Sequence, residues 1–123
     1  MFNPEDNITN DPYKDALAVG PKLDTISPTF CLAKWKWASI HLTSGWTNSC
    51  FLPPLHKIDR HGRYGIESNP RALHNTKEKK DQRRMMLKGE RPEGCSSCWN
   101  VEDMGEDYVS DRHYRSSEPW ALP

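Results

Sequence analysis

The sequence predicts a small α+β domain stapled by a metal ion or metal cluster, with one β-hairpin, one main helix and irregular N- and C-terminal arms. Three observations predict it. Leu, Ile, Val and Phe together supply only 20 of the 123 residues, too few for an unaided core, and small domains short of aliphatics rely on a disulfide or a metal. An alternating stretch followed by a turn signal marks a hairpin. Four cysteines, Cys31, Cys50, Cys95 and Cys98, are available as the staple.

The elements follow in chain order. Residues 1–29 read as a flexible polar arm, because Asn3-Pro4, Asn10-Asp11-Pro12, Gly20-Pro21 and Ser27-Pro28 interrupt regular structure. Between these breakers the sequence allows one short helical turn from Tyr13 to Val19. Trp35, Trp37, Ser39 and His41 alternate with Lys36, Ala38, Ile40 and Leu42, the period of a strand. Thr43-Ser44-Gly45 is the turn, and Trp46 to Phe51 returns as the second strand until Pro53-Pro54 stops it. A connector rich in His, Gly, Asn and Pro spans 52–72. The main helix runs from Lys77 to Lys88, with Asn75 as N-cap, Glu78 three residues later and Gly89 as the stop. Its apolar residues, Met85, Met86 and Leu87, predict that the last turns dock. The cysteine-bearing domain is thus expected over 30–103, followed by a tail over 104–123.

Seventeen basic residues balance seventeen acidic ones, so the domain as a whole exerts no pull on nucleic acid. No apolar run is long enough to span a membrane. Met1-Phe2-Asn3-Pro4-Glu5-Asp6 lacks the basic start and apolar stretch of a secretory signal. The expectation is a cytoplasmic chain with reduced thiols, which favours metal ligation over disulfides.

Cys95-Ser96-Ser97-Cys98 is a Cys-x2-Cys knuckle, a spacing that aims two thiolates at one centre from one tight turn. Gly94 before it is expected to bring backbone amides close to sulfur. Two more cysteines, with none left over, make a closed four-thiolate site the economical account. From the residues alone, structural zinc is the first reading of such a site. Thirteen residues separate Cys31 from Gly45, and four separate Gly45 from Cys50. With the hairpin turn near Ser44, Cys50 is expected opposite Ala38, so Cys31 reaches the site only through a bend between Leu32 and Lys34.

That spacing, Cys then 9–15 residues, Gly, four residues and Cys, resembles the opening signature of the SPASM and twitch auxiliary-cluster domains of radical SAM enzymes. Further stretches resemble the twitch domain-containing radical SAM proteins of bacteria and phages. They are Phe30-Cys31-Leu32-Ala33-Lys34-Trp35, His56-Lys57-Ile58, Asn69-Pro70, Ala72 to Thr76, Gln82 to Leu87, Arg91-Pro92 through Cys95, Cys98 to Asp103, and Ser110-Asp111-Arg112. The resemblance implies a cysteine-ligated iron–sulfur cluster, [4Fe–4S] in type, with Cys31, Cys50, Cys95 and Cys98 as ligands. Phe51-Leu52 stands where the family tends to have histidines, and Asp59 to Ile66 departs from an acidic, leucine-rich segment. The Cys-x3-Cys-x2-Cys spacing that binds the SAM-cleaving cluster does not occur. The expectation is therefore an auxiliary cluster-binding domain without the catalytic core, served by a separate radical SAM core polypeptide. The alternatives are a zinc-stabilised four-cysteine interaction module and a truncated radical SAM gene fragment.

No residue is assigned a catalytic role. His41 on the Trp-bearing face reads as a hydrogen-bonded structural histidine, and His56 and His74 as packing or capping groups. Lys77 to Arg84 carries five positive and two negative charges and reads as a solvated helix face, with docking of an acidic partner or a phosphate as its functional alternative. Trp35, Trp37, Trp46 and Trp99 read as core cover or cluster shield rather than as stacking platforms. Glu102-Asp103 and Glu106-Asp107 have no neighbouring catalytic partner in sequence.

Overall fold

Residues 11–50 and 52–118 are described by a computed structural model. Among them are five helices and a three-stranded antiparallel sheet, an α+β arrangement. The first helix, α1 (Pro12–Asp24), starts where Asp11 Oδ1 accepts from the Tyr13 and Lys14 amides, with Pro12 at the first helical position. It is longer than the single turn expected, and Gly20-Pro21 lies inside it rather than breaking it. The reason is tertiary. Ala16, Val19, Gly20 and Leu23 repeat at helical spacing and are buried, and they pack on the C-terminal helix α5 (Asp111–Ser116). Gly20 lets α1 approach α5 closely, since a Cβ there would meet the His113 ring at 3.3 Å and push it by a few tenths of an ångström. Val19 and Leu23 form a small core with Phe30.

The stretch expected to begin the hairpin is helical at its start. Ala33–Lys36 forms a short helix, α2, and only Ser39–His41 is strand β1. The alternation over 35–42 thus overlaps the helix at Trp35 and Lys36, and the buried Ala33 and Lys34 before it anchor that helical turn. β2 (Trp46–Asn48) pairs with β1 in the register Ser39 with Asn48 and His41 with Trp46. Gly45, with φ at 77°, makes the reversal, and its amide donates to the His41 carbonyl. Extending that register brings Cys50 opposite Trp37, not Ala38, and the ladder ends at Asn48 before reaching it. The expected strand end at Phe51 lies outside the described residues. A third strand not foreseen, β3 (His56–Lys57), pairs with the other side of β2.

After a 3-10 turn at Pro70–Leu73 comes α3 (Lys77–Leu87). Its cap is Thr76, whose Oγ1 accepts from the Lys79 amide, one residue later than the expected Asn75. Gly89, with φ at 79°, ends it as expected. Met86 is buried while Leu87 is exposed, so the docked face of the last turns is narrower than the sequence suggested. A 3-10 turn at Glu93–Cys95 leads into α4 (Ser96–Glu102), and a loop connects it to α5. The main core gathers Cys31, Ala33, Cys50, Met86, Cys95 and Trp99, with Trp37, Leu52 and Cys98 against it.

A candidate four-thiol centre

Three separate pieces of chain deliver the four cysteines. Cys31 precedes α2, and that helical turn is the bend expected between Leu32 and Lys34. The amides of Ala33 and Lys34 at the start of α2 face the Cys31 thiol as hydrogen-bond donors, and the Lys34 amide also donates to the Cys31 carbonyl at 3.1 Å. Cys50 sits in the loop after β2, which is closed by the Asn48 side-chain Nδ2 donating to the Pro53 carbonyl at 2.8 Å. It is the non-glycine residue with positive φ among those described, at 65°. A left-handed backbone at a side chain with Cβ costs on the order of 1–2 kcal/mol and concentrates at functional positions. Cys95 ends a 3-10 turn and Cys98 lies in the first turn of α4, so the Cys-x2-Cys knuckle is the start of a helix. Gly94 carries no positive φ; a Cβ there would lie 3.3 Å from Pro54, so its role is close packing of the Pro53-Pro54 loop rather than unusual backbone angles.

All four cysteines line one cavity, with Lys34, Leu52, Pro53, Met86, Trp99, Asp111 and Arg112 completing its wall. The cavity holds about 20 Å³, room for one water. All four thiols are free. Among the described residues, no group of three or more His, Cys, Asp or Glu side chains is arranged to hold a metal ion. What the four thiols share is one cavity wall.

Burial pushes the Cys31 thiol up to about 12, against the two amide hydrogen bonds that favour its thiolate. Burial likewise pushes Cys98 up to about 11, opposed by the Arg112 amide and the Ser110 hydroxyl, and it raises Cys95, opposed by the Lys34 ammonium. At neutral pH these thiols are protonated and inert as nucleophiles. Each also has a donor placed to stabilise a thiolate once a metal takes the proton's place.

Two buried cations flank the cavity. Arg112, 3% exposed, donates to Glu102 at 2.7 and 3.0 Å and to the Phe30 carbonyl at 2.8 Å, so its charge is matched. Lys34, 2% exposed, is different. Its ammonium donates to Gln82 at 2.8 Å, to the Ser49 carbonyl at 3.4 Å and to Cys95, all neutral groups at neutral pH. A buried cation with only neutral partners is costly unless an anion stands beside it. Lys34, Arg112 and Ser110 were not singled out for this site by sequence, because their roles depend on how α2 and α5 pack.

The remaining candidates fall to structural roles. His41 is exposed, and among the described residues its ring makes no hydrogen bond of the structural kind expected. Burial holds the His56 ring below the usual histidine range, and its Nε2 bonds Thr76 Oγ1 at 2.6 Å beside the α3 cap. The His74 carbonyl accepts from Lys79. Trp99 is buried in the cavity wall with Nε1 donating to the Pro92 carbonyl, whereas Trp35 and Trp46 are about two-fifths exposed. Glu102 pairs with Arg112, and Asp103 with Arg91 in a two-bond fork at 2.7 and 2.8 Å.

Comparison with protein-family models, with curated proteins and with solved structures finds no match to this chain. No helix of the described residues is long and apolar enough to cross a membrane.

Proposed function

We propose that this chain is an iron–sulfur-binding module, with Cys31, Cys50, Cys95 and Cys98 as the ligands of one [4Fe–4S] cluster. The observation that carries the reading is that the chain's four cysteines, from three separate segments, line a single cavity. The donor set fits: four soft thiols in an apolar wall, with hydrogen-bond donors aimed at three of them. Four thiolates on one zinc would have to meet around a point with bonds of about 2.3 Å. A polynuclear cluster instead takes each thiolate at a different iron. The unmatched Lys34 ammonium supports an anionic occupant. The Cys31-to-Cys50 spacing and the ordered sequence words favour kinship with twitch auxiliary domains of radical SAM proteins, acting beside a core on another polypeptide.

Such a cluster supplies one-electron storage and a covalent cross-link between the segments that bear the cysteines. The chain's part is to hold the four thiolates, exclude water with Trp99 and Leu52, and balance charge with Lys34. Anaerobic loading with ferrous iron and sulfide, followed by iron and acid-labile sulfide analysis, tests this. Retention of both in equal amounts is expected, and Cys→Ser at any of the four positions should lower it. A chain that keeps one zinc and no iron would refute the cluster and leave the zinc-stabilised interaction module.

A further inference from the structure

Beyond the thiol cavity, a second depression of about 560 Å³ opens between α2 and α3. Its wall includes Lys34, Trp35, Lys36, Trp37, His74 and Arg83, and no acidic side chain lines it. We propose that this groove binds a mononucleotide, with its phosphate at Arg83 and its base against the exposed Trp35 ring.

The charge argument comes first. Arg83 is half-buried, and its hydrogen-bond partner is the neutral amide oxygen of Asn75. Burial and the neighbouring Arg84 both hold its guanidinium below the usual arginine range, so the site disfavours a bare cation. Lys34 lines the same groove and likewise bonds only neutral groups. Elsewhere on α3 the exposed cations are matched: Lys77 and Arg84 both bind Asp81, at 2.7 and 3.0 Å. Arg83, on the groove side of the charged run, has no carboxylate partner among the described residues, whereas the buried Lys79 of the same run bonds Thr47 and the His74 carbonyl. A planar guanidinium with free donors suits a phosphate, which it can hold through two bonds.

The aromatic argument is independent. Trp35 is 39% exposed and tilts against Phe30, with ring centroids 4.7 Å apart, which fixes its plane. Trp37 Nε1 donates to Ser39 Oγ at 2.9 Å, which anchors the second ring. Trp37 is already engaged, with the Arg115 guanidinium over its ring at 5.9 Å, so the exposed Trp35 ring beside cations is the stacking surface for a base. The volume lies within the range of small-molecule sites. The inference does not require the cluster, since the groove is built from α2, α3 and the loop between them.

Calorimetric titration of the full chain with AMP, inorganic phosphate and adenosine tests it, before and after cluster loading. One equivalent of AMP should bind in at least one of the two states, about tenfold or more tightly than phosphate or adenosine alone. Arg83→Gln and Trp35→Leu should each weaken AMP by about tenfold or more, and Arg83→Lys should weaken it less than Arg83→Gln. Circular dichroism of each variant confirms that the comparison is between folded chains. No AMP binding at millimolar concentration in either state would overturn the proposal, as would native affinity in both Arg83→Gln and Trp35→Leu. Phosphate binding as tight as AMP would remove the base from the site and overturn the nucleotide assignment.

Discussion

Lys34 offers a test whose sign changes with the state of the centre. In the metal-free chain its buried ammonium faces a carbonyl, an amide oxygen and a protonated thiol. Replacing a buried charge by an apolar side chain of similar length is commonly neutral or stabilising. Lys34→Met should therefore leave the metal-free chain's stability within about 1 kcal/mol of native, or raise it. In the loaded chain Cys95 is a metal-bound thiolate. A unit charge pair at roughly 4 Å with an effective dielectric of about 20 is worth about 4 kcal/mol, and part of that is offset by desolvation of the ammonium. Lys34→Met should then cost the loaded form about 2–4 kcal/mol. Anaerobic urea denaturation of native and variant, each with and without iron and sulfide, reads both numbers from paired midpoints. Equal effects in the two states would show that Lys34 does not face an anionic centre, and the charge argument for the site would fail.

Four further outcomes follow from the same geometry. Arg112→Met should cost about 3–5 kcal/mol in chemical denaturation even without metal, because it strands the part-buried Glu102 carboxylate; a loss under 1 kcal/mol would contradict the matched-pair reading. Burial raises the Glu102 carboxyl, but the bonds from Arg112 and Ser110 outweigh it and hold the group below its usual value of 4.5. Its stabilising contribution is therefore present above about pH 4.5 and lost as pH falls through the depressed value, and Glu102→Gln should flatten that part of a stability–pH profile. Leu23→Ala should cost about 2–5 kcal/mol, since Leu23 is fully buried between α1 and its neighbours; a negligible loss in thermal or urea melts would mean that α1 is not part of the core. Because burial raises Cys31 and Cys98 so far, loading must release protons, so metal uptake followed by absorbance should strengthen between pH 6 and 8, and pH-independent uptake would contradict thiolate ligation.

Local chemistry explains what the sequence did and did not disclose. Thr43-Ser44-Gly45 and Gly89 require backbone angles that glycine supplies, and both reversals are where the residues put them. Trp35 misled because the alternation over 35–42 gives no sign that its first two residues close a helical turn begun at Ala33. The opposite error occurred at Gly20-Pro21. A breaker pair hid α1, although Asp11-Pro12 is a helix start and Ala16, Val19, Gly20 and Leu23 form a helical stripe that was there to be read. The cysteines were legible as candidates from their number and spacing. Lys34 and Arg112 were not, since a lysine between an alanine and a tryptophan gives no sign that folding will bury it beside three other segments.

The central claim is that all four cysteines hold one polynuclear centre. Mössbauer spectroscopy of the chain loaded anaerobically with isotopically enriched iron tests it most directly. The account predicts that essentially all iron falls in tetrahedral sulfur sites of a single [4Fe–4S] cluster, and that Cys50→Ala disturbs that spectrum as much as Cys95→Ala. Iron found only in mononuclear or oxygen-ligated sites, or a cluster indifferent to Cys50, would contradict it.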